Sequence, residues 1–170
     1  MSKSESTNEV HKFGVYLVTA ELFRRGFSAT PFAGNIDIIA KDKHGNTVYV
    51  KVNAMTQKSW QFHITEFAHL EFHEDRQILK SPKDSLYSNL IRVLVQRGKF
   101  YGEDLFYVLT WEDLRDLIYR KYEEDIIKRR GGRRSRAPES THCAIYPKDL
   151  SEYKDRWELF EKIATGLHRE

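Results

Sequence analysis

Between Gly34 and Asn53 the chain carries a pattern that leaves little choice of local structure. Ile36, Ile38 and Ile39 come first, then the polar run Asp42, Lys43, His44, Gly45 and Asn46. After it Val48, Val50 and Val52 alternate with Tyr49, Lys51 and Asn53. β-Branched residues at a period of two read as strands, and Gly45 supplies the positive φ that a tight hairpin turn needs. The second strand therefore has two unlike faces, the valines directed to a core and Tyr49, Lys51 and Asn53 to the other side. Asp37, near the head of the first strand, is expected to meet Lys51 and Asn53 at one end of this hairpin.

Residues 8–25 are expected to form a helix capped by Asn8 and stopped by Gly26, with Phe13, Leu17, Ala20 and Phe23 facing the core. Glu21 lies one turn beyond Leu17, on the edge of that face, an unusual place for a carboxylate. Residues 27–30 read as a short strand ended by Pro31. Residues 60–64 alternate like a strand, 65–78 give no clear period, and 84–97 fit a helix through Leu86, Leu90, Val93 and Leu94. Residues 105–109 form a buried strand, and Thr110 with Asp113 resembles a capping box for a helix over 111–129. A short strand at 143–145 and an amphipathic helix over 150–164, with Tyr153, Trp157, Phe160 and Ile163, complete the chain. This order of elements is α/β or α+β.

At 170 residues, 40% of them hydrophobic and 31% charged, the sequence suits one domain over 8–170 after a disordered leader at 1–7. It has no apolar run of membrane-spanning length and no secretory signal, and its one cysteine, Cys143, points to a cytoplasmic setting. Net charge is only +3, but Lys128, Arg129, Arg130, Arg133, Arg134 and Arg136 are concentrated in a basic loop at 128–138. Clustered arginines neutralise phosphates, and Gly131-Gly132 lets a backbone approach closely, so this loop is the candidate for holding DNA. The bland reading is a solvated loop. No zinc-finger spacing or helix-turn-helix is present to read bases.

His63, Glu66, His69, Glu71, His73 and Glu74 are potential metal ligands without a recognised spacing. His142-Cys143 invites a nucleophile reading, although flanking Ala144 and Ile145 suit a buried, inert thiol.

A leading helix with an inward glutamate, a strand bearing aspartate, a hairpin, and a strand ending polar–Val–polar resembles the PD-(D/E)XK nuclease superfamily. Residues 17–40, and 131–145 with 150–160, resemble a bacterial restriction-endonuclease-like subgroup. The resemblance spans about 10–160 with the middle unmatched. It implies a restriction-endonuclease-like mixed central sheet flanked by helices. Asp37 matches the motif aspartate, Lys51 stands where the second acid (or Gln) belongs, and Asn53 stands where the lysine belongs. Glu21 matches the helix glutamate of Holliday-junction-resolvase-like members.

In such nucleases two acids hold Mg²⁺ or Mn²⁺, which lowers the pKa of a bound water, and the lysine orients that water. The resemblance thus implies Asp37 and Glu21 as metal ligands, with Lys51 and Asn53 acting on phosphate or substrate. Glu66 or Glu71 could replace the acid missing at 51. A lysine at 51 also favours a plain ion pair with Asp37. Two functions follow: a DNA-binding protein with an altered or decayed endonuclease site, or a non-catalytic adaptor using the scaffold for assembly. The adaptor reading expects a homodimer, since related folds often pair.

Overall fold

The computed structural model describes residues 6–56, 58–134 and 137–167. Its first element is helix α1 (Thr7–Arg24), opened by a capping box in which Ser6 and Glu9 bond each other's backbone N–H. The cap is therefore Ser6, not Asn8, because the Ser-x-x-Glu spacing satisfies two N–H groups at once. The helix begins at Thr7, inside the expected leader, of which residues 1–5 lie outside the described residues. It buries Val10, Gly14, Val15, Val18 and Leu22, while Phe23 is exposed. The β-branched residues, not the aromatic ones, fill the narrow space against the sheet.

Four strands follow: β1 (Ser28–Pro31), β2 (Ile38–Lys41), β3 (Thr47–Met55) and β4 (Trp60–His63). A single helical turn, α2 (Ile64–Phe67), leads into the hairpin β5 (Ala68–His73) and β6 (Arg76–Pro82). Next come β7 (Leu90–Gln96), β8 (Leu105–Thr110) and α3 (Trp111–Tyr122), which continues as a π-helical stretch, Glu123–Lys128. The chain closes with β9 (His142–Ile145), a 3₁₀ helix (Pro147–Tyr153) and α4 (Glu158–Ala164).

The central sheet has the order β1-β2-β3-β7-β8. It is mixed, since β3 and β7 run parallel and the other neighbours antiparallel. Helices cover both faces, giving the mixed α+β class. On one face Val48, Val50 and Val52 pack with Ile91, Val93 and Val95 beneath Val15, Val18 and Leu22 of α1 and Phe160 of α4. On the other, Leu94 and Leu109 pack with Trp60, Phe67, Trp111, Leu114 and Ile118. Each fully buried aliphatic side chain contributes about 1.5–3 kcal/mol.

The helix expected over 84–97 is a strand from Leu90 onward. Residues 90–95 are buried or nearly so on both faces, so apolar residues sit at consecutive positions and also satisfy a helical spacing. The β-branched Ile91, Val93 and Val95 decide the outcome. Likewise, the last expected helix is two pieces, broken where Asp155 takes a positive φ of 53°. The expected turn at Gly45 is present, with φ 84°, and Asp42 accepts hydrogen bonds from the His44 and Asn46 N–H groups. Among the described residues no helix is long and apolar enough to cross a membrane.

Candidate functional site

Register brings the hairpin's polar residues together. Ile38 pairs with Val50, so Asp37, one residue before β2, falls beside Lys51. The Asp37 N–H donates to the Val50 carbonyl at 2.8 Å, and its own carbonyl accepts from the Phe32 N–H at 2.8 Å. The residue is 6% exposed, and a carboxylate so buried needs partners. It has three: Oδ2 accepts from the Val52 N–H at 2.8 Å and lies 3.7 Å from Lys51 Nζ, while Oδ1 lies 3.0 Å from His11 Nε2.

His11 reaches this place because α1 lies close to β3. A Cβ on Gly14 would stand 2.5 Å from the Ala54 Cβ, so glycine is what permits the approach. His11, one turn earlier, is thereby set over Asp37.

Asn53 follows Lys51 by two residues and shares its face of β3. Its Oδ1 accepts from Arg92 Nη2 at 2.9 Å, and Arg92 Nη1 donates to Glu66 Oε1 at 2.9 Å. Arg92 pairs with Lys51 in the parallel register of β3 and β7 and is 3% exposed. Burial pulls its guanidinium down from the usual range, opposed by the charges of Glu66 and Asp37. The rings of Phe62, Phe67 and Trp111 stand 5.7–5.8 Å from the guanidinium carbon.

Asp37, Lys51 and Asn53 thus share one cluster, joined by His11, Glu66 and Arg92. Glu21 is not in it. Ten residues beyond His11 on the same helix, it is displaced by about 15 Å along the axis, and its carboxylate is bound by Arg24 and Arg25. A helix glutamate near the core edge was a fair candidate by residue type, but it lies three turns from the strand end that carries Asp37. Glu71 is also elsewhere, paired with Lys80 across the β5–β6 hairpin at 3.1 Å. Among the described residues no group of three or more His, Cys, Asp or Glu could hold a metal ion, the 63–74 segment included. A divalent cation at Asp37 would meet the Lys51 ammonium where a second acid is needed, and both carboxylate oxygens are already engaged. This donor set does not fit Mg²⁺ or Mn²⁺.

Two clefts open beside the cluster. One, of about 700 Å³, is lined by Asn8, His11, Asn53, Thr56, Ser59 and Gln61. The other, of about 350 Å³, lies among Asn35, Lys51, Glu66, Tyr87, Arg92 and Trp111. Tyr49 rests on Tyr87 with ring centroids 5.0 Å apart.

The basic loop is largely tied down. Arg129 pairs with Asp125 at 3.0 Å and Arg133 with Asp75 at 2.7 Å. Arg134 donates to the His142 carbonyl and lies over the Tyr122 ring. Arg130 is exposed and makes no ion pair among the described residues, and Arg136 lies outside them. The close approach that Gly132 permits, at φ 79°, is to Gln77: a Cβ would stand 2.4 Å from the Gln77 carbonyl oxygen. Even so, Arg129, Arg130 and Arg134 line a depression that includes Gln61, the residue also bordering the His11–Asn53 cleft.

Sequence reasoning missed His11 and Arg92. Arg92 had a signal, a lone cation within the apolar run 90–95. His11 had none beyond its place in the first turns of a helix. Cys143 is buried, and burial pushes its thiol up to about 11, which leaves it unreactive near neutrality.

No protein-family model and no curated protein matches this sequence. Among solved structures, the chain is similar to the bacterial homing endonuclease I-Ssp6803I, with a TM-score of 0.54 and 12% identity over 97% of this chain and 98% of that one. The likeness is one of fold.

Proposed function

We propose that this protein binds duplex DNA on a scaffold of the PD-(D/E)XK type, and that its former metal position has become a holder of backbone phosphate. The observation that carries this reading is the Asp37–Lys51 pair, 3.7 Å apart, in the place where the resemblance expects two acids. Lys51 and His11 both stand beside Asp37 and next to open clefts, able to face a phosphate. Arg130, with Arg129 and Arg134 in the depression beside Gln61, extends the cationic track. Nuclease-like architecture over nearly the whole chain supports the DNA assignment. Two copies acting together belong to the same reading, which sedimentation velocity checks.

A second reading keeps catalysis, with Glu66 as a relocated acid, because Arg92 ties Glu66 to Asn53. Plasmid nicking in Mg²⁺ and Mn²⁺ separates the two. The first reading expects no nicking above the Asp37→Ala background, and nicking gained in a Lys51→Glu/Asn53→Lys double variant. Native nicking that disappears in Glu66→Gln establishes the second. No binding to any nucleic acid at low salt leaves the adaptor alternative.

A further inference from the structure

The β4–β9 pair is a two-stranded antiparallel ribbon with unlike faces. Trp60, Phe62, Cys143 and Ile145 are buried, while Gln61, His63 and His142 are exposed on the other side. The Ile64 N–H donates to the Thr141 carbonyl at 2.8 Å. By the alternation of an antiparallel ladder, His63 and His142 are then a non-hydrogen-bonded pair, the kind whose side chains stand closest. Their ring centroids are 4.2 Å apart. His63 Nδ1 and Thr141 Oγ1 lie 2.8 Å apart, which orients the ring and leaves Nε2 as its other polar atom. Gln61 donates one amide N–H to Ser59 Oγ at 2.9 Å and keeps the second N–H and the acceptor capacity of Oε1. Cations adjoin this face. The His142 carbonyl, turned away from β4, accepts from Arg134, and Gln61 and His142 share a depression of about 350 Å³ with Arg129, Arg130 and Arg134. Asp125, the acid of that lining, is paired with Arg129 at 3.0 Å.

We infer that the exposed face of this ribbon enters the major groove of the bound duplex and reads base edges there, with Gln61, His63 and His142 as the reading side chains. The inference rests on the DNA-binding reading above and deepens it, since phosphate contacts fix position while base contacts supply sequence preference. Two strands about 4.8 Å apart, with their side chains, fit a major groove about 12 Å wide. Gln61 and His63, two residues apart, are separated by about 7 Å along the strand, close to two base-pair steps. The Gln61 amide suits adenine, donating to N7 and accepting from the N6 amino group. The paired histidines then face a base about two steps away, and Arg130 with its neighbours meets the adjoining phosphates.

The test selects preferred sites for the full chain from a pool of duplexes with a randomised central segment, then measures single labelled duplexes by fluorescence anisotropy. The native chain is expected to select adenine at one position, and exchanging that A·T pair for G·C should weaken binding about tenfold, the scale of one bidentate base contact. Placing 7-deazaadenine there removes the N7 acceptor, which lies in the major groove, and should weaken binding several-fold. In Gln61→Ala both losses should vanish, and in a His63→Ala/His142→Ala double variant the preference about two steps away should disappear. Neither variant should change the salt dependence, because no phosphate contact is removed. All three side chains are exposed, so both variants keep the fold. Duplex binding without base preference overturns this inference and leaves the DNA-binding reading standing. A preference that survives both variants, or that is indifferent to 7-deazaadenine, overturns it as well. No binding to any duplex removes both.

Discussion

Replacing Arg92 by methionine separates a structural role for this buried cation from a functional one. Methionine matches the volume and removes the charge and both Nη–H hydrogen bonds. Three terms oppose the change. The ion pair with Glu66 is worth at most about 1 kcal/mol, because the Glu66 side chain is 43% exposed and water can solvate it. The bond to Asn53 contributes about 1 kcal/mol net, since Asn53 borders a water-accessible cleft. The contacts with the rings of Phe62, Phe67 and Trp111 add about 1 kcal/mol. Against them stands the cost of desolvating a guanidinium that is 3% exposed, several kcal/mol. The terms nearly cancel, so urea unfolding followed by far-UV circular dichroism should show a stability change within about 1.5 kcal/mol of native at an unchanged m-value. Duplex affinity should nevertheless fall, because the Glu66 carboxylate near Lys51 loses the cation that neutralises it and then repels phosphate. A destabilisation of about 3 kcal/mol or more, the size seen when a buried partner is left charged and alone, would refute the reasoning and make Arg92 a structural residue.

Other substitutions probe the supports of the site. Gly14→Ala sets a Cβ 2.5 Å from the Ala54 Cβ, and thermal unfolding should show a loss of about 1–3 kcal/mol. Thr110→Ala removes the acceptor for the Asp113 N–H at the start of α3, for a loss of about 1–2 kcal/mol in the same assay. For Cys143, burial raises the folded thiol to about 11 from 9.0. The unfolded chain then gives up this proton at lower pH than the folded one, so stability present below about pH 9 is lost as pH rises toward 11. The loss between about pH 9 and 10 is about 1 kcal/mol, and Cys143→Ala should flatten it in denaturant titrations.

How far the sequence discloses this molecule depends on how distinctive each element's pattern is. The hairpin was legible because β3 has one period and one turn residue, Gly45, that suits its loop. The start of α3 was legible from Thr110 and Asp113, a local capping chemistry that tertiary contacts do not alter. β7 was not: buried on both faces, it loses the alternation that marks a strand. The phase of α1 was misjudged because aromatic size suggested burial for Phe23, whereas the buried face runs through Gly14, Val18 and Leu22 and leaves Phe23 exposed. Within the site, Asp37, Lys51 and Asn53 could be grouped because they lie on two neighbouring strands. His11 and Arg92 could not, since their places depend on helix packing and on a parallel pairing across an irregular crossover. The arginine loop was read by charge alone: Asp125 stands one turn before Arg129 and its pairing was open to sequence reasoning, whereas the pairing of Arg133 with the distant Asp75 was not.

The account's central claim is that Lys51, paired with Asp37, serves phosphate binding in place of a metal. Its most direct test is the affinity for a paired DNA duplex with EDTA and with Mg²⁺, measured for the native chain and for Lys51→Glu. The account predicts native binding that weakens with salt and is as tight in EDTA as in Mg²⁺, and a loss of about tenfold in EDTA for Lys51→Glu, the scale of one phosphate contact removed and a repulsive charge added. Native binding that appears only with Mg²⁺, or a Lys51→Glu chain that binds in EDTA as well as the native one, would contradict it.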